Sequence, residues 1–120
     1  MYEVFFYKDK NGNSPIADYL RELTARKDKN SRIKANKIND YIQYLAQEGK
    51  NAGGPYIKHL DGEIWELRPL RDRILFAAWD GDSFVLLHYF IKKTQKTPKR
   101  AIDQAIRNFS DLKERKDSDG

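Results

Sequence analysis

"IWELRPLRDRILFAAWDGDSFVLLHYFIKK", residues Ile64 to Lys93, contains three apolar runs, divided by a corner at Arg71-Asp72 and a turn at Gly81-Asp82. Runs of this length, rich in β-branched and aromatic side chains and bounded by Pro, Gly and Asp, are strand signals. "YIKHL" (56–60) and the Asp61-Gly62 turn stand directly before them. Asp61-Gly62 and Gly81-Asp82 are hairpin dipeptides, so the stretch reads as three or four antiparallel strands in a meander.

Outward from this meander, "YEVFFYK" reads as a first strand, Tyr2 to Tyr7, stopped by the turn residues "DKNGNS". Ser14-Pro15 is a cap-and-proline start, and Ile16, Tyr19, Leu20 and Leu23 follow at the spacing of one helical face. Ile38, Tyr41, Ile42 and Leu45 repeat that spacing. They predict a second helix from about Ser31 to Glu48, stopped at Gly49 and paired with the first as a hairpin. "GKNAGGP" is a loop. Thr97-Pro98 repeats the cap-and-proline start, and Ile102, Ala105, Ile106 and Phe109 form the stripe of a third helix. The predicted order is β-α-α-β-β-β-β-α, an α+β fold with a small, mostly antiparallel sheet, an N-terminal helical hairpin and a C-terminal helix. One domain over residues 1–116 is expected, with 117–120 as a frayed tail, because "DLKERKDSDG" is mixed in charge and poor in apolar residues.

Composition narrows the chemistry. A chain of 120 residues is long enough for one core. It has no cysteine, which removes disulfides, zinc-thiolate sites and a thiol nucleophile and fits a reducing cytoplasm. "MYEVFFYKDK" is too short an apolar stretch for a signal peptide, and nothing reaches the length of a membrane span. A soluble cytoplasmic protein with no membrane partner is expected. Lys and Arg number 23 against 18 Asp and Glu, a net charge of +5, which favours polyanionic partners. There is no phosphate-binding glycine loop, no H-E-x-x-H and no acidic cluster, so no metal and no cofactor are expected.

Alternation in "IWELRPL" puts Ile64, Glu66 and Arg68 on one face and Trp65 and Leu67 on the other. The same rule groups Arg73 with Leu75, Ala77 and Trp79, which brings Arg73 near Arg68 across the corner. For a single arginine the commoner role is a rim residue paired with an acid, here Glu66 or Asp72. Glu66 is either a base or an arginine's partner, and the partner role is favoured. His59 and His88 are the two side chains with ordinary pKa values near neutrality. A solvated surface role suits His59, and a core-edge role suits His88. Lys92, Lys93, Lys96, Lys99 and Arg100 contain no acid among them, as a solvated face would. They also lie where a helix N-terminus can help hold a phosphate. Arg, Lys and His without metal suit RNA cleavage by a ribose 2′-hydroxyl, with cations stabilising the phosphorane.

"YIKHLDGEIWELRPLRDRILFAAW" followed by "VLLHYFIKKTQKTPKRAIDQA" resembles the RelE/HigB-like toxins of bacterial type II toxin–antitoxin systems, in particular their phage-related branch. The resemblance spans nearly the whole chain. It implies a ribosome-dependent endoribonuclease that cuts mRNA and is silenced by a HigA-like helix-turn-helix antitoxin. Operator DNA would be bound only through that antitoxin. Carried over by position, Arg68 and Arg73 match phosphate-contacting arginines and Lys93 a basic residue at the end of the last long strand. With His88 they form the expected catalytic set, ranked Arg73, Arg68, Lys93, His88. Lys58, His59, Lys92, Lys96, Lys99 and Arg100 are the expected RNA contacts. The chain departs from the pattern at Ile64 and Glu66, where some members carry lysines, and it lacks their C-terminal tyrosine. Strand parity separates His88 and Lys92 from Tyr89 and Lys93 unless a bulge or the strand end intervenes. Two rival readings are a non-catalytic toxin of this fold aimed at a protein such as a topoisomerase and a basic nucleic-acid-binding module.

Overall fold

The structure, a computed structural model, describes residues 1–119. The elements are β1 (Glu3–Phe6), α1 (Pro15–Ala25), α2 (Lys29–Glu48), a 3-10 turn (Gly49–Ala52), β2 (Ile57–Asp61), β3 (Ile64–Leu67), β4 (Asp72–Trp79), β5 (Ser83–Ile91) and α3 (Lys99–Asp119). Apart from the added 3-10 turn, this is the order read from the sequence. The five strands form one sheet in the order β1-β5-β4-β3-β2. β1 runs parallel to β5, and the other pairings are antiparallel.

Each face of the sheet carries its own core. Ile16 and Leu23 of α1 and Ile38 and Leu45 of α2 pack against Leu67, Ile74, Phe76, Phe84 and Leu86. On the opposite face Ala101, Ala105 and Phe109 of α3 cover Ile64, Leu75, Ala77, Val85 and Leu87. Helices on both faces explain why β4 and β5 read as continuous apolar runs where a half-exposed strand would alternate. Burying one such Leu, Ile or Phe contributes roughly 1.5–3 kcal/mol. Among the described residues no helix is long and apolar enough to cross a membrane.

The helix ends differ from the sequence expectation in instructive ways. α1 starts as predicted, with Ser14 at the cap position and Pro15 next, but the Ser14 side chain caps nothing and its buried hydroxyl lacks a partner. α2 starts at Lys29, ahead of Ser31, because the Asp28 carboxylate accepts from the Ser31 N–H and hydroxyl, both at 2.9 Å. α3 begins without Thr97 as its cap. The Pro98 carbonyl accepts from the Ala101 and Ile102 N–H groups, while the Thr97 hydroxyl turns to Glu66. The stretch from Asp111 stays helical to Asp119. Leu112 packs on the second core, Lys113 meets Glu63 at 2.7 Å, and Lys116 pairs with Asp80. Gly120 lies outside the described residues.

One irregularity decides the geometry that follows. β4 and β5 pair regularly from Trp79 and Ser83 to Phe76 and Leu86, and then Leu75 pairs with His88, which leaves Leu87 as an extra residue. This is a β-bulge, and it shifts every later side chain of β5 by one position. The Asn108 side-chain amide of α3 donates to the Leu87 carbonyl at 2.8 Å.

Candidate functional site

Glu66, on the α3 face of β3, is 2% exposed. A carboxylate so buried requires partners. One oxygen accepts from the Thr97 hydroxyl at 2.6 Å, and the other lies 3.6 Å from Nε of Arg68. Arg68 follows β3, anchored by its N–H to the Tyr56 carbonyl at 2.9 Å. Lys58 stands opposite Glu66 in the ladder.

Arg73 is 7% exposed. Its Nη1 donates to the carbonyls of Leu70 (2.8 Å) and Asp72 (2.9 Å). Leu70 presents its carbonyl from a left-handed backbone, φ 55, a conformation that costs a β-carbon-bearing residue on the order of 1 kcal/mol. No carboxylate of the described residues forms an ion pair with Arg73, and its Nε and Nη2 make no hydrogen bond to them. Burial pushes its pKa below the ordinary value; nearby Glu66 opposes that shift and Arg68 adds to it. The guanidinium remains charged, since arginine is not deprotonated in proteins. Asp72 points to the opposite face, where its carboxylate accepts from the Tyr19 hydroxyl at 2.8 Å with Lys34 at 3.6 Å. Arg73 therefore lacks both acids that the sequence offered it.

Residues 92–97 cross the end of this face. The Lys92 N–H donates to the Arg71 carbonyl at 2.7 Å, and the Thr94 hydroxyl donates to the Lys96 carbonyl at 2.9 Å. Three hollows surround this segment. Glu66, Arg68, Arg73, Lys58, Lys92 and Lys96 meet in the first. Arg71, Arg73, Lys92 and Lys93 line a second of about 480 Å³. The third, about 900 Å³, lies between β5 and α3 and holds His88, Lys93 and Arg100. The four candidate catalytic residues thus do not share one pocket: Arg68 and Arg73 meet in the first hollow, His88 and Lys93 in the third, and Arg73 and Lys93 in the second.

The bulge turns His88 to the α3 face, opposite Leu75, with Phe90 opposite Arg73; it precedes His88 and leaves the parity between His88 and Lys93 unchanged, and those two share a cleft because β5 ends at Ile91. Burial and the neighbouring Arg107 lower the His88 pKa, so the ring is neutral near pH 7. His59 stands apart. Its Nε2 lies 2.8 Å from the Gly62 carbonyl, and its ring packs on Trp65 at 5.0 Å. Lys99 also points away, its side chain 89% exposed and 3.4 Å from Asp103.

Sequence reasoning missed Thr97 and Arg107. Thr97 was hidden by the proline after it, which made it look like a helix cap. Arg107 was legible in principle, because it follows Arg100 by seven residues, two helical turns, and so shares its stripe. No group of three His, Cys, Asp or Glu among the described residues could hold a metal ion. Cations converging on a hollow with a single carboxylate suit a phosphodiester and the extra charge it gains in a pentacoordinate state.

A family model described as "Phage derived protein Gp49-like (DUF891)" matches residues 18–110, a span that includes every candidate residue discussed above. No curated protein matches the chain.

Proposed function

Because the chain belongs to the Gp49-like family of phage-derived proteins, a RelE-type toxin-like family whose members imply an antitoxin partner, we propose that it is a metal-independent, ribosome-dependent endoribonuclease acting on mRNA. A HigA-like helix-turn-helix antitoxin silences it. The observation that carries this reading is Arg73. A buried guanidinium with no ion-pair partner is costly to keep, and one whose remaining donors stay unused is suited to an incoming anion.

In the proposed reaction the ribose 2′-oxygen forms a bond to phosphorus, and the bond from phosphorus to the 5′-oxygen breaks. The 2′ proton leaves to a base, and the departing 5′-oxygen takes up a proton. Arg73 and Arg68 meet the phosphorane oxygens. Glu66 holds Arg68 in place, and Lys58 and Lys92 draw in the backbone of the message. Neutral His88 is the group in the adjoining cleft able to accept a proton at pH 7. The products are a 2′,3′-cyclic phosphate and a 5′-hydroxyl. Induced expression followed by mapping of RNA ends tests the proposal. The expected result is cut messages carrying those ends, and intact messages during growth arrest would overturn it.

A further inference from the structure

We propose that the cleft between β5 and α3 is a nucleotide-binding pocket, taking the base and phosphate of an RNA residue beside the one being cut. Only the identity of the substrate rests on the proposed function; binding requires no cleavage.

The charge pattern of α3 is the first support. Lys99, Lys113, Arg115 and Lys116 each form an ion pair, with Asp103, Glu63, Asp111 and Asp80 in turn. Arg100 and Arg107 form none with a described residue, and neither does Lys93. These three unneutralised cations are the ones that line the cleft, and no acidic side chain lines it with them. A helix that neutralises its other basic residues and leaves two facing one cavity favours an anion in that cavity. Seven residues at 1.5 Å each set the two arginines about 10 Å apart along the helix.

The lining argues for more than a bare anion. Phe90 and Ala101 give an apolar surface on which a planar base can stack. His88 makes no side-chain hydrogen bond to a described residue, and a neutral imidazole can give its one N–H to a base edge while its other nitrogen stays a proton acceptor. The wall is also built. Arg107 donates to Gln104 at 2.8 Å, Gln104 to Asn108 at 2.9 Å, and Asn108 to the Leu87 carbonyl beside His88. One hydrogen-bonded chain thereby ties the Arg107 side chain to the backbone carbonyl that precedes His88.

The test titrates the whole chain with adenosine monophosphate, adenosine and inorganic phosphate, following the His88 ring and Arg107 side-chain signals by NMR. The monophosphate is expected to bind at least about tenfold more tightly than either fragment, because base and phosphate are held together. His88→Ala and Arg107→Gln should each weaken it by about tenfold, with circular dichroism confirming the fold. Lys113→Ala, on the same helix but outside the cleft and already paired with Glu63, should bind it within about twofold of the parent. Equal affinity for phosphate and monophosphate would overturn the proposal, as would binding that ignores Arg107. If binding depends on Arg107 but no RNA is cut by the parent chain, the cleavage reading alone fails.

Discussion

Arg73→Ala removes the one guanidinium that, among the described residues, is buried without a carboxylate. The expected cost is roughly 3 kcal/mol of transition-state stabilisation, about a hundredfold in rate. Growth on induction should be restored while circular dichroism still reports the fold. Arg73→Lys should rescue poorly, because Nη1 alone holds the Leu70 and Asp72 carbonyls and an ammonium in its place would have no second nitrogen to turn to the phosphate. Lys96→Ala and Lys99→Ala should remain toxic, and a folded, fully toxic Arg73→Ala would remove Arg73 from the site. His88 gives a second prediction, about pH. Its folded pKa is lowered, so between that value and the unfolded value of about 6.5 the unfolded chain binds more protons. The stability contribution is whole above about pH 6.5 and is lost as pH falls through this window. Urea midpoints of the parent chain and His88→Gln should converge or cross on acidification, and parallel curves would contradict the burial. Arg68 and Arg73 could be found in the sequence because alternation across a short corner is a local rule. Thr97 could not, since its partner Glu66 lies on another strand and proline supplies a competing local explanation.

At the scale of elements, the bulge at Leu87 rests on a contact from α3. Asn108→Ala leaves the Leu87 carbonyl without its side-chain donor, a loss on the order of 1–3 kcal/mol for a buried acceptor. Faster hydrogen exchange at the amides around Leu87 and His88 is expected, with the β1 amides unchanged. A uniform change across the sheet would mean that Asn108 supports stability in general and does not hold the bulge. Strand positions were legible because β4 and β5 are continuous apolar runs bounded by turn residues. The bulge was not, because it rests on a side chain 21 residues further on. The anchoring of the last turns of α3 was hidden for a related reason: Glu63 and Asp80, which pair with Lys113 and Lys116, lie in distant turns.

At the scale of the molecule, an excess of five positive charges predicts nucleic-acid binding that weakens steeply with salt. It also predicts an antitoxin that presents acidic residues to this face. The isolated chain should bind operator DNA far more weakly at physiological salt than its complex with the antitoxin does, as a gel-shift titration would measure. Equal affinity would contradict that division of labour. The sheet order carries a consequence in time. β1 is made first, yet Glu3 can pair only when Ser83 exists, and the hollow around Arg73 is closed by residues 92–97, which arrive later still. A chain growing on the ribosome therefore holds its arginines without the wall that completes their pocket. Under the proposed function, every round of synthesis leaves an interval in which an antitoxin already present can meet the chain before that pocket is complete.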